Sequence, residues 1–209
     1  MSIKRSDMNK SIIAITFLSI LLLSCGKDDT TTNPPDDGTI KKSSKRGLAY
    51  NLTNSADLDT LKSGVSWWYN WYYTTTAPSN YFDDYQMEFI PMLWGGNTSN
   101  SDITAVKSFI LNHPEVKYLL VMNEPNLTDQ ANRTPEQAAV DWLKYEQVVS
   151  DLAAQQRTVY LVGPAMTWGT MPNYSDPVVW LDAFYAAYKN ANGNRPPKID
   201  YLAFHWYDY

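Results

Sequence analysis

The residues best placed to do chemistry are Asn123, Glu124 and Pro125, which close an apolar run from Tyr118 to Met122. A carboxyl group at the mouth of a buried strand is partly desolvated, and desolvation favours its neutral, proton-bearing form. Such an acid can protonate a leaving oxygen. Cleavage of a glycosidic bond has that need, together with a second carboxylate that serves as nucleophile or base. The rings point the same way. The chain has 8 Trp and 15 Tyr against 6 Phe, and rings with a flat apolar face and a polar edge suit a wet, stacking surface.

Individual rings separate by position. In the run Val65–Trp71, alternation puts Trp67, Tyr69 and Trp71 on one face and Trp68 and Asn70 on the other. Tyr69 and Trp71, nearest the end, are the candidates for touching substrate, and Trp67 is expected in the core. Trp94 precedes Gly95-Gly96, which leaves it room to project. His205 and Tyr207 share a face; His205 is either a hydrogen-bond partner beside the acid or a buried structural histidine. Trp168, in a loop, could cover a bound molecule.

Other chemistries are disfavoured. A single cysteine allows no internal disulfide, and two histidines far apart give no zinc site. No metal or cofactor is expected. His113, in a His-Pro pair, reads as a solvated helix cap. The formal charge is −5, with no basic run in the folded region, which argues against nucleic acid as a partner and for a neutral substrate.

Positioning the candidates are six strand-length runs: Gly47–Asn51, Val65–Trp71, Glu88–Trp94, Tyr118–Asn123, Thr158–Gly163 and Ile199–Tyr207. Several are apolar on both faces, as parallel strands covered by helices are. Between them lie helices. Thr134-Pro135-Glu136-Gln137 opens one, with Ala138, Trp142, Tyr145, Val149 and Leu152 on a single stripe. Asp176-Pro177 opens another, bearing Trp180, Leu181, Phe184 and Tyr188. Asp102 is expected to cap a third that Asn112-His113-Pro114 ends. The segments after the first two strands predict only short or irregular helices.

Repeated strand–helix order implies an α/β fold, either a doubly wound sheet or a (β/α)8 TIM barrel. The first strand lacks a Gly-x-Gly-x-x-Gly turn, which removes the dinucleotide-binding version. Polar and aromatic residues gather at the strand ends: Asn51, Asn70-Trp71, Trp94, Asn123-Glu124 and His205-Trp206-Tyr207. Barrels place their active sites at that face. The expectation is an incomplete barrel, with strands 1–6 present and strands 7–8 missing.

Six stretches together resemble glycoside hydrolase family 128, barrel enzymes that cut β-1,3-glucans. They are Lys45–Asn51, Ser66–Trp71, Glu88–Gly95, Leu120–Asn126, Val162–Ala165 and Ala203–Tyr207, in order along residues 45–209. The resemblance implies an endo-acting, retaining mechanism with Glu124 as acid/base and Asn123 holding the hydroxyl beside the scissile bond. It also implies a nucleophilic Glu on a seventh strand, which this chain does not reach. Asp208 lies on the right face but in a terminal loop; Glu88 and Asp200 fall at strand starts, the wrong end. The alternatives are a non-catalytic glucan-binding surface lipoprotein and a partial gene product.

Residues 1–24 read as a lipoprotein signal peptide. Lys4, Arg5 and Lys10 precede an apolar run from Ile12 to Leu23, too short to span a bilayer comfortably. Leu22-Leu23-Ser24-Cys25 resembles the bacterial lipobox, in which the cysteine is lipidated. Residues 25–44 then form a solvated tether. The expected location is the bacterial cell envelope, lipid-anchored at the outer membrane or cell surface. On detergent phase separation the chain should partition with detergent and Cys25→Ala with water; equal partitioning of both into water overturns the assignment.

Overall fold

The computed structural model describes residues 42–207. The signal segment, Cys25, the tether as far as residue 41, and Asp208 lie outside the described residues. The strands are β1 (Gly47–Ala49), β2 (Trp67–Tyr69), β3 (Glu88–Phe89), β4 (Met92–Leu93), β5 (Tyr118–Val121), β6 (Tyr160–Met166) and β7 (Tyr201–Phe204). They alternate with helices α1 (Ser55–Leu61), α2 (Asn100–Asn112), α3 (Pro135–Ala154) and α4 (Pro177–Ala191), none of which falls between β2 and β4. The fold is mixed α/β. Every strand pairing is parallel, in two sheets ordered β1-β2-β3 and β4-β5-β6-β7.

The expected single strand over Glu88–Trp94 is broken into β3 and β4. Pro91 is the reason, since it has no N–H to give a ladder. Hydrogen bonding nevertheless runs through the break: Ile90 N–H donates to Trp68 O at 2.9 Å, and Leu120 N–H to Pro91 O at 3.0 Å. One chain segment therefore joins β2 on one side to β5 on the other.

Alternation sorts the side chains. Leu119, Val121 and Leu161 are fully buried toward the helices, within a core that includes Val106, Trp142, Tyr145 and Phe184. A second cluster holds Trp68, Tyr81, Met87 and Phe89. The expectation for strand two is corrected here. Trp68 is the buried core ring, whereas Trp67 is half-buried and lines the concave face with Tyr69 and Met92. Both parities of that strand are apolar, so alternation identified the two sets without showing which one met the helices.

Helix starts follow their caps. Thr134 and Gln137 form a reciprocal capping box at α3, and Asp176 accepts from Val178 N–H at α4. At α2 the cap is Ser99, not Asp102; Asp102 is the third helical residue and returns a bond to the Ser99 N–H. His113 ends α2 as expected but is not simply solvated. Its Nδ1 lies 3.0 Å from both the Tyr81 hydroxyl and Glu115 Oε1, and its ring stacks on Phe109.

A polar cluster ties α3 and α4 to the approach of β7. Glu146 accepts from the Tyr188 hydroxyl at 2.8 Å, the Arg195 guanidinium at 2.8 Å and Lys198 N–H at 2.7 Å. Burial alone pushes the Glu146 carboxyl up, but Arg195, Lys198 N–H and Tyr188 together outweigh it and hold the group below its ordinary value. A depressed carboxyl contributes stability above its unfolded value, about 4.3, and loses it as pH falls through the lower folded value. Urea titration should therefore find Glu146→Gln less stable by about 1–3 kcal/mol at pH 7, with a smaller loss on acidification toward about pH 3 than the parent shows. Identical acid profiles would contradict this role.

Candidate active site

The site is built at the C-terminal ends of β4, β5, β6 and β7. Its centre is a backbone clamp. Ala165 of β6 donates its N–H to Met122 O at 3.0 Å and accepts from Glu124 N–H at 2.7 Å, so Asn123 pairs with it as an isolated parallel bridge. On the other side Met122 N–H donates to Leu93 O at 2.9 Å and Asn123 N–H to Trp94 O at 2.8 Å. Held from both sides, the chain takes left-handed conformations at Met122 (φ 58°) and Glu124 (φ 48°). Non-glycine residues seldom do so, and such strain persists only where neighbours over-determine it.

Gly163 makes the approach of β6 possible. Its φ is 137°, and a Cβ there would lie 2.5 Å from Val121 O. β6 is irregular between Val162 and Ala165 in its pairing with β7, which re-aims the strand end.

The same strand holds the partner of Glu124. His205 N–H donates to Met166 O at 2.7 Å, and His205 Nδ1 stands 2.7 Å from Glu124 Oε1. Both side chains are largely enclosed, 18% exposed for His205 and 6% for Glu124. Either atom can be the donor of that bond: a proton on Nδ1 is given to a Glu124 carboxylate, and one on Oε1 is given to Nδ1. The Tyr207 hydroxyl is 3.5 Å from Oε1, within range of only a weak bond.

A cleft of about 350 Å³ opens over this pair, lined by Trp71, Trp94, Asn123, Glu124, Gln130, His205 and Tyr207. Asn123 is buried; its Nδ2 donates to Gln130 Oε1 at 3.0 Å, while its Oδ1 has no partner among the described residues. A buried acceptor without a donor is costly, and a ligand hydroxyl in the cleft would satisfy it. Trp71 and Trp94 are 42% and 37% exposed. Trp71 also has a left-handed backbone (φ 59°), and its ring packs edge-on against Tyr69 at 5.2 Å. The Trp168 ring meets Tyr207 edge-on at 5.3 Å.

Two sequence candidates stand apart from this cleft. Tyr69 lies on the concave face below it, lining a larger cavity of about 690 Å³ whose walls are mainly strand side chains. Burial first, then Tyr207 and Glu124, push its phenol up, so it is electrostatically in touch with the site. Asn51 is exposed, accepts from Asn70 Nδ2 at 3.2 Å, and is not among the cleft residues. Gln130 was missed by sequence reasoning, because a loop glutamine among Thr128, Asp129 and Ala131 carries no local pattern. Glu88 and Asp200 bond the N–H groups of Lys117 and Leu161 at strand starts, away from Glu124.

Gly163→Ala should disturb the clamp. The expected loss is about 1–3 kcal/mol of stability, read as a lower Tm, with weakened ligand binding in the cleft. An unchanged Tm would show that the chain there relaxes freely.

A family model described as the glycosyl hydrolase catalytic core matches residues 47–209. Among solved structures, the chain is similar to a family 128 subgroup II endo-β-1,3-glucanase from Pseudomonas viridiflava, at 52% identity and a TM-score of 0.73, covering 81% of this chain and 63% of that one. A subgroup II endo-β-1,3-glucanase from Sorangium cellulosum is 33% identical with a TM-score of 0.61, over 78% of this chain and 60% of its own. A subgroup I enzyme from Amycolatopsis mediterranei in complex with laminaritriose is 26% identical with a TM-score of 0.52, over 81% and 58%. The chain spans less than two thirds of the length of these relatives. Comparison with curated proteins gives no match. With the family model matched over most of its length, this chain belongs to the glycosyl hydrolase catalytic core family.

Proposed function

We propose that this chain carries the acid/base half of a retaining endo-β-1,3-glucanase, built on a (β/α)8 barrel of which the described strands are the first six. β3 and β4 count as one barrel strand, so Glu124 follows the fourth. The carrying observation is the Glu124–His205 pair at 2.7 Å under an open aromatic cleft. In the first step Glu124 gives its proton to the leaving oxygen; in the second it takes one from water. His205 stabilises the carboxylate between the steps. Asn123 Oδ1 accepts the sugar hydroxyl beside the bond, and Trp71 and Trp94 stack on sugar faces.

Retention needs a second carboxylate about 5–5.5 Å from the first. Among the described residues, Glu124 is the single acidic side chain lining the cleft, so the nucleophile is supplied by residues other than 42–207. That observation also favours a second reading, a surface protein that binds glucan without cutting it. In either case we propose a lipid on Cys25 as the anchor. No helix among the described residues is long and apolar enough to cross a membrane.

The purified chain should bind laminari-oligosaccharides in preference to cello-oligosaccharides by calorimetry, with Trp71→Ala and Trp94→Ala each weakening binding by about 1–3 kcal/mol. It should release reducing sugar from linear β-1,3-glucan at no more than background. Robust turnover would assign the second carboxylate to this chain, with Asp208 the first to test.

A further inference from the structure

A second trough of about 300 Å³ adjoins the cleft, and Trp71 and Trp94 line both. The two rings form a shared ridge, so the spaces read as one continuous surface. Beyond the ridge the wall is built by Tyr72, Tyr73, Asn97 and Asp102. None of these belongs to the acid/base pair or contacts it.

Tyr72 is the unusual element. It is 52% exposed, yet it is fixed from several directions. Its N–H donates to Asn70 Oδ1 at 3.1 Å, and its carbonyl accepts from Met92 N–H at 2.9 Å. Its ring stacks on Tyr73, with centroids 4.2 Å apart and planes 29° apart, and its hydroxyl donates to the Tyr73 hydroxyl at 2.9 Å. Tyr73 is itself half-buried against the main core. The Tyr72 bond, with burial and Asp102 adding to it, pushes the Tyr73 phenol up to about 12. Asp102 is held below its ordinary value, first by the Ser99 hydroxyl, and stays ionised. An exposed ring backed by a second ring and tied at both ends loses little freedom on binding. An ionised carboxylate and an exposed amide beside it can accept and donate to hydroxyl groups.

We propose that this trough is an additional subsite for a β-1,3-glucan chain that has crossed the Trp71–Trp94 ridge, with Tyr72 as its stacking platform and Asp102 and Asn97 as its hydroxyl partners. It rests on the glucan reading of the cleft and adds a length preference to it. Short oligosaccharides fill the cleft over Glu124; longer ones also cover Tyr72.

The test is calorimetry on the full chain with laminaribiose and laminarihexaose. Laminarihexaose should bind the parent more tightly. Tyr72→Ala should weaken laminarihexaose by about tenfold or more and leave laminaribiose within about twofold, while Trp94→Ala weakens both. Tyr72→Phe, which keeps the ring, should retain laminarihexaose binding within about threefold. Laminarihexaose binding unchanged in Tyr72→Ala, or both sugars weakened equally, overturns this subsite and leaves the cleft standing. A parent chain that binds neither sugar overturns the glucan reading and the subsite together.

Discussion

The site depends on two successive backbone groups of β6. The Ala165 carbonyl takes the Glu124 N–H at 2.7 Å and the Met166 carbonyl takes the His205 N–H at 2.7 Å. Glu124 and His205 are 81 residues apart in the chain, yet one strand lying between their own strands sets both. A parallel sheet does this because each strand ends beside its neighbour's end, and side chains leaving adjacent ends converge. What remains is strain. Met122 and Glu124 stand in left-handed conformations that their side chains disfavour, and the clamp compensates for it.

From that clamp the chemistry follows by proximity. A carboxyl group on a side chain only 6% exposed needs a partner for either charge state, and His205 Nδ1 can donate to a carboxylate or accept from a carboxylic acid. Above the pair, Trp71 and Trp94 form aromatic walls of the cleft. Trp94 is held from behind, since the Tyr145 hydroxyl donates to Gly95 O at 2.6 Å and the Arg133–Asp141 pair packs where a Gly96 side chain would be. The segment that carries the Trp94 ring is thereby tied to α3, and through α3 to the core.

Much of this was legible because it was local. The caps at Thr134 and Asp176 and the apolar stripes of α3 and α4 are short-range patterns, and so is Glu124 at the end of an apolar run. The break at Pro91 was visible as a proline inside a strand-like run, but its effect depends on which neighbours the N–H would have met. Trp67, expected in the core, lines the concave face instead, because an apolar strand has no polar face to orient it. Asp102 sits one helical turn into the capping box that Ser99 opens, so the same motif was placed three residues late. Asn51, expected to end the first strand, lies two residues beyond β1 and turns to Asn70. The left-handed residues at Trp71, Met122 and Glu124 were not legible at all. At Met122 and Glu124 the conformation is held by β4 and β6, distant in sequence, while the meeting of Asn123 with Gln130 depends on the path of the loop between them.

The central claim is that Glu124 moves the proton. Its most direct test is the leaving-group dependence of Glu124→Gln in a form of the enzyme that contains both carboxylates. Hydrolysis of natural β-1,3-glucan should slow by about 10²–10⁴-fold. The glycosylation step on an aryl laminaribioside with a good leaving group, which needs little protonation, should be nearly retained. Equal losses on the two substrates would contradict the account and make Glu124 something other than the acid.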